Sequence, residues 1–136
     1  MLFSYAITVP AGTPSNKPLE QSLEIKPGII KRIEVKFPPG VAATVHVQIF
    51  SGEFQLLPRN PGGSIQGDNE TVFDEPYYEI YDEPAVLTLR AWSPTANHDH
   101  TILVRILVLK PEILFPELLL INELRRIEQK LRVIPL

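Results

Sequence analysis

Proline and glycine punctuate this chain so often that most of it can form only short extended segments. Fourteen prolines and seven glycines occur in 136 residues. The fences Pro10-Ala11-Gly12, Pro27-Gly28, Pro38-Pro39-Gly40, Ser51-Gly52 and Pro61-Gly62-Gly63 recur at intervals of roughly ten residues. Between them apolar and polar residues alternate. Leu19, Gln21, Leu23 and Ile25 are opposed by Glu20, Ser22, Glu24 and Lys26, and Ile33, Val35 and Phe37 by Arg32, Glu34 and Lys36. From Val41 to Phe50, Val45, Val47 and Ile49 alternate with His46, Gln48 and Phe50. A period of two sends successive side chains to opposite faces, which predicts strands with one buried and one wet side. Leu2 to Val9 opens the series, and shorter strands are expected at Phe54 to Leu57, at Val72-Phe73 and at Tyr77 to Tyr81. Ala85 to Trp92 offers Val86, Leu87, Leu89 and Trp92 as core residues, and His100 to Leu109 is the last and most apolar strand. About eight short strands without helices between them predict an all-β fold, an antiparallel β-sandwich of jelly-roll or immunoglobulin-like type. A doubly wound parallel sheet is excluded, because its crossovers have no room here.

The last quarter changes period. From Pro116 onward Leu120, Leu124, Ile127, Leu131 and Ile134 recur at steps of four and three, with Glu123, Arg125, Arg126, Glu128, Gln129 and Lys130 between them. This predicts a C-terminal α-helix with one apolar face. Leu118, Leu119 and Ile121 widen that face, and Val133, Ile134 and Leu136 extend it to the end of the sequence. The chain therefore divides into a sandwich over 1–111 and an amphipathic helix with an apolar tail over 112–136. The surface formed by Leu118, Leu120, Leu124, Ile127, Leu131, Ile134 and Leu136 is expected to dock on a partner or a second copy. The competing reading packs the helix on its own sandwich, as amphipathic helices commonly do.

Composition narrows the function further. There is no cysteine, hence no disulfide, thiolate nucleophile or cysteine-based zinc site. The net charge of −3 argues against a nucleic-acid partner, which calls for a basic field. Acidic residues also cluster: Asp68, Glu70, Asp74, Glu75, Glu79, Asp82 and Glu83 fall between Gln66 and Pro84 with no lysine or arginine among them. Met1-Leu2-Phe3-Ser4-Tyr5-Ala6 has neither the basic lead of a signal peptide nor the apolar length of a membrane span. The expected location is the cytoplasm or a particle assembled there.

Three constellations could carry chemistry. His98-Asp99-His100 places two histidines on one face of a strand, with His46 or a carboxylate as a third metal ligand; the ordinary reading is a polar hairpin loop. Tyr77, Tyr78, Tyr81 and Phe73 interleave with the acidic run, where rings could stack on a sugar or meet a protein partner. Asp68-Asn69-Glu70 lacks the ligand spacing of an EF-hand, so calcium has only weak support. Phosphate loops, a nucleophile elbow and metalloprotease motifs are missing from the sequence, and no catalytic residue or cofactor is expected.

Several runs together suggest a family. Tyr5 to Thr13, Ile29 to Gly40, Val45 to Phe50, Pro58-Arg59-Asn60-Pro61 and His100 to Arg105 resemble the text of small structural proteins encoded among the virion genes of tailed phages. The resemblance spans most of the sandwich and misses the terminal helix. It implies a particle component and supplies no catalytic residues. The resulting expectation is a non-enzymatic virion protein, a capsid decoration or cement subunit that forms a homo-oligomer or binds a major capsid or other virion protein. The alternative is a carbohydrate- or calcium-binding sandwich module.

Overall fold

The structure, a computed structural model, describes residues 1–110. The expected helix and tail over 112–136, with Leu118, Leu120, Leu124, Ile127, Leu131, Ile134 and Leu136, lie outside the described residues. Nine strands follow one another: β1 (Leu2–Val9), β2 (Leu19–Ile25), β3 (Gly28–Phe37), β4 (His46–Ser51), β5 (Phe54–Leu57), β6 (Glu70–Asp74), β7 (Tyr78–Ile80), β8 (Ala85–Trp92) and β9 (His100–Leu109). All pairings are antiparallel.

The strands form two sheets. One has the order β1-β9-β3-β6, with β7 also on β3; the other runs β2-β8-β4-β5. The pairings are nested: β1 with β9, β2 with β8, β3 with β6 and β7, and β4 with β5 at the tip. Successive rungs of this long ladder alternate between the sheets. The Pro27-Gly28 turn is consequently a passage from one sheet to the other. β6 and β7 share one edge of β3, pairing with Ile33 to Phe37 and with Gly28 to Ile30 respectively. The gap between them falls opposite Lys31 and Arg32, where β3 is itself bulged against β9.

The core lies between the sheets, where Leu23, Ile33, Val35, Phe37, Ile49, Leu87, Leu89, Ile102 and Ile106 are fully buried. The alternation in β2 and β3 meets expectation, with Leu23 and Ile25, and Ile33, Val35 and Phe37, pointing inward. β8 departs from it. Ala85, Leu87, Leu89 and Ala91 are the buried set, so Val86 and Trp92 share the outer face with Arg90. The expected strand from Val41 also starts later, because Ala42 and Ala43 adopt left-handed φ of 49° and 58°. Asp68 Oδ1 accepts hydrogen bonds from the Gly40 and Ala42 amides, both at 2.9 Å, and so holds that turn. Among the described residues no fully buried side-chain nitrogen or oxygen lacks a hydrogen-bond partner.

Candidate aromatic seam

The Tyr77, Tyr78 and Tyr81 segment lies where the free edge of one sheet, β6 and β7, meets the free edge of the other, β5. Pro76 cannot donate a ladder hydrogen bond, and Tyr77 has a φ of 48°. Together they break the edge and separate the tyrosines. Tyr77 and Tyr81 stand exposed, whereas Tyr78 packs on the core. Phe54, at the start of β5, lies over Tyr78 with ring centroids 5.6 Å apart and planes 9° from parallel. Phe73 on β6 is also exposed. Four large rings, Phe54, Phe73, Tyr77 and Tyr81, thus face solvent within the loops and edges of β5 to β7, each at least 44% exposed.

Two arginines fasten this region. Arg59 forks onto Asp74, with Nε to Oδ2 at 2.6 Å and Nη2 to Oδ1 at 3.0 Å, and also donates to the Glu75 carbonyl at 3.1 Å. The bond to Asp74 holds the guanidinium above its ordinary range. Arg32 places its guanidinium 3.8 Å from the centre of the Phe73 ring while pairing with Glu34 and Glu75. Phe54, Gln55, Leu56, Arg59, Pro76 and Tyr78 line a shallow cavity of about 160 Å³. Asp74 and Glu75 are therefore engaged in holding the seam, while Glu79, Asp82 and Glu83 are exposed and form no ion pair among the described residues.

Tyr77, Tyr78 and Tyr81 stand out in the sequence, whereas Phe54, Arg59 and Arg32 do not. The partners are contributed by β3, β5 and the loop after β5. No local spacing announces them, because only side-chain contacts between the edges of two different sheets bring them together.

The other candidates separate. His46 sits on β4 with its ring stacked on Trp92 at 5.4 Å and 5°, and Nδ1 lies 3.1 Å from Ser64 Oγ. Partial burial lowers its pKa below the ordinary 6.5. Trp92 is thus a ring on the outer face and not the core residue expected. Asp99 Oδ1 accepts the Ala11 amide at 2.8 Å and braces two loops. Among the described residues no three His, Cys, Asp or Glu side chains gather closely enough to hold a metal ion. Arg90 and Arg105 lie on the outer faces of their sheets, pairing with Glu20 and Glu34.

No family model and no curated protein matches this chain. Among solved structures it has likenesses to Fe(II) HppE (6% identity, TM-score 0.40, covering 78% of this chain and 43% of that one), to FLHE (10%, 0.35, 77% and 95%) and to a protein from Bacillus endospore appendages described as disulfide-linked pili (13%, 0.32, 78% and 84%). The chain therefore spans less than half the length of the first of these.

Proposed function

We propose that this chain is a non-enzymatic building block of a viral particle, a capsid decoration or cement subunit that holds its neighbours through non-covalent contacts. The observation carrying this reading is the exposed aromatic seam. Exposed rings, with Arg32 over Phe73 and Arg59 on Asp74 bracing the edge beside them, suit burial against another protein, where a few tyrosine, tryptophan and arginine side chains dominate the contact energy. We read the apolar spacing in the sequence of residues 112–136 as a second docking element, in which each Leu or Ile side chain buried against a partner would contribute roughly 1.5–3 kcal/mol. We read the body that presents these surfaces as a jelly roll, supported by its nested pairing and by the sheet orders β1-β9-β3-β6 and β2-β8-β4-β5.

Removing residues 112–136 is expected to leave a folded sandwich that no longer binds the particle. Replacing Phe54 and Tyr77 by serine is expected to weaken particle binding while circular dichroism shows that the sandwich still folds. Truncated and seam-substituted proteins that keep their particle binding refute the reading.

A second reading, a saccharide-binding module, is favoured by one feature. Phe54 stacks on Tyr78 and is still 59% exposed, leaving surface on which a sugar ring could lie. A glycan array separates the two, since the structural reading expects no binding. Its calcium variant has less support, because Asp68 Oδ1 already faces two amide donors.

A further inference from the structure

The four sheet edges are unequal. β2 carries Glu20 and Glu24 along its length, β5 is four residues long, and β6 and β7 form a broken edge interrupted by Pro76 and carrying Glu70, Asp74 and Glu79. Short length, charge and proline are the devices by which a free edge avoids pairing with another chain. β1 has none of them. It runs straight for eight residues, Leu2 to Val9, paired residue for residue with β9 and without a bulge. Its sequence, Leu-Phe-Ser-Tyr-Ala-Ile-Thr-Val, is rich in β-formers, and residues 1–16 contain no Asp, Glu, Lys or Arg. Among the described residues its only strand partner is β9, which leaves a row of backbone donors and acceptors on the other side.

We propose that two copies of this chain join along β1, antiparallel about a twofold axis, making one continuous sheet across the pair. The strand is self-complementary. Setting Tyr5 opposite Tyr5 of the second copy places Leu2 against Thr8, Phe3 against Ile7 and Ser4 against Ala6. Every pair then has both members on the same face, because residues of equal parity meet. Phe3 and Tyr5, now half-buried at the rim of the core, gain cover on the inner side. The Tyr5 hydroxyl donates to the Glu24 carbonyl on β2, so the ring is already fixed. A charged strand would meet like charges in such a pairing; this one meets none. The acidic edge of β6 and β7, at the other end of the same sheet, would repel its own copy, which leaves β1 as the edge of that sheet open to self-association. The proposal stands apart from the role given to residues 112–136.

The test uses the full chain and two double variants. Ser4 faces Arg105 across β1 and β9, so a carboxylate at position 4 is compatible with the fold. Ser4→Glu with Ala6→Glu sets like charges opposite each other twice in the pair, whereas Ser4→Glu with Ala6→Lys sets opposite charges together. Sedimentation equilibrium is expected to give a dimer of the 15.4 kDa chain for the unmodified protein. The first variant should raise the dimer dissociation constant about tenfold or more, and the second should restore it. Amide exchange over residues 2–9 should slow as the dimer forms, with circular dichroism confirming that each variant folds. A monomer at all concentrations, a dimer indifferent to both variants, or β1 amides that exchange equally fast in monomer and dimer overturns the proposal. An oligomer lost only when residues 112–136 are removed does so as well, while leaving the docking role of that segment intact.

Discussion

Gly28→Ala tests the passage between the sheets more sharply than any core truncation. Gly28 opens β3 with a φ of +154°, a conformation that L side chains rarely adopt. A Cβ there would lie 2.7 Å from the Leu109 carbonyl oxygen and 2.9 Å from Val108 Cγ1. The oxygen cannot retreat freely, because Leu109 is paired with Ile29. Backbone strain of about 1–3 kcal/mol and overpacking of about 1–3 kcal/mol together predict a loss of about 2–6 kcal/mol. A domain of this kind has only about 5–15 kcal/mol in total. Gly40→Ala is the control: its φ is +93°, but nothing lies within 4 Å of the added carbon, so strain alone is expected. Urea unfolding, followed by Trp92 fluorescence and by circular dichroism, gives both values. If the two variants lose the same stability to within about 0.5 kcal/mol at equal slope, the close approach of β3 to the end of β9 is not what excludes a side chain there.

Two further outcomes follow from particular contacts. The stacked His46 has its pKa lowered by burial, so the unfolded chain binds a proton before the folded one does; stability from neutral His46 should be complete above pH 6.5 and be lost as pH falls toward the folded value. The fluorescence of Trp92, the single tryptophan, should titrate with a midpoint below 6.5 and cease to do so in His46→Gln; a midpoint at or above 6.5 contradicts the burial. Asp68→Ala should cost about 1–2 kcal/mol by removing the acceptor for the Gly40 and Ala42 amides, and calcium should leave the melting temperature of the unmodified protein unchanged; a calcium-dependent rise would show that the carboxylate serves a cation.

The strands were legible because period-two alternation is local, and from Glu20 to Lys26 and from Arg32 to Lys36 every second residue is polar. β8 was misread in part because Val86 and Trp92 are apolar on the outer phase, where the polar signal rests on Thr88 and Arg90. The start of β4 was misplaced because Val41 and Val45 are buried from a turn, and burial without a strand leaves the same apolar signature. Pro27-Gly28 announces a turn, yet whether a turn closes a hairpin or changes sheets depends on pairings made by residues far along the chain. The seam has the same origin. Tyr77, Tyr78 and Tyr81 could be singled out from one acidic stretch, but Phe54 and Arg59 join them only through the meeting of two sheet edges.

The pairing of β1 with β9 also sets an order of events during synthesis. The first strand has no neighbour in its sheet until Leu109 has left the ribosome. At about 5–20 residues per second, the roughly ninety residues between them take about 5–20 s to make. For that interval a long, uncharged and largely apolar edge strand is exposed in every nascent chain. Polysomes, which hold several such chains close together, are therefore where premature encounters between first strands would begin, and where a chaperone that shields short uncharged segments would have its effect.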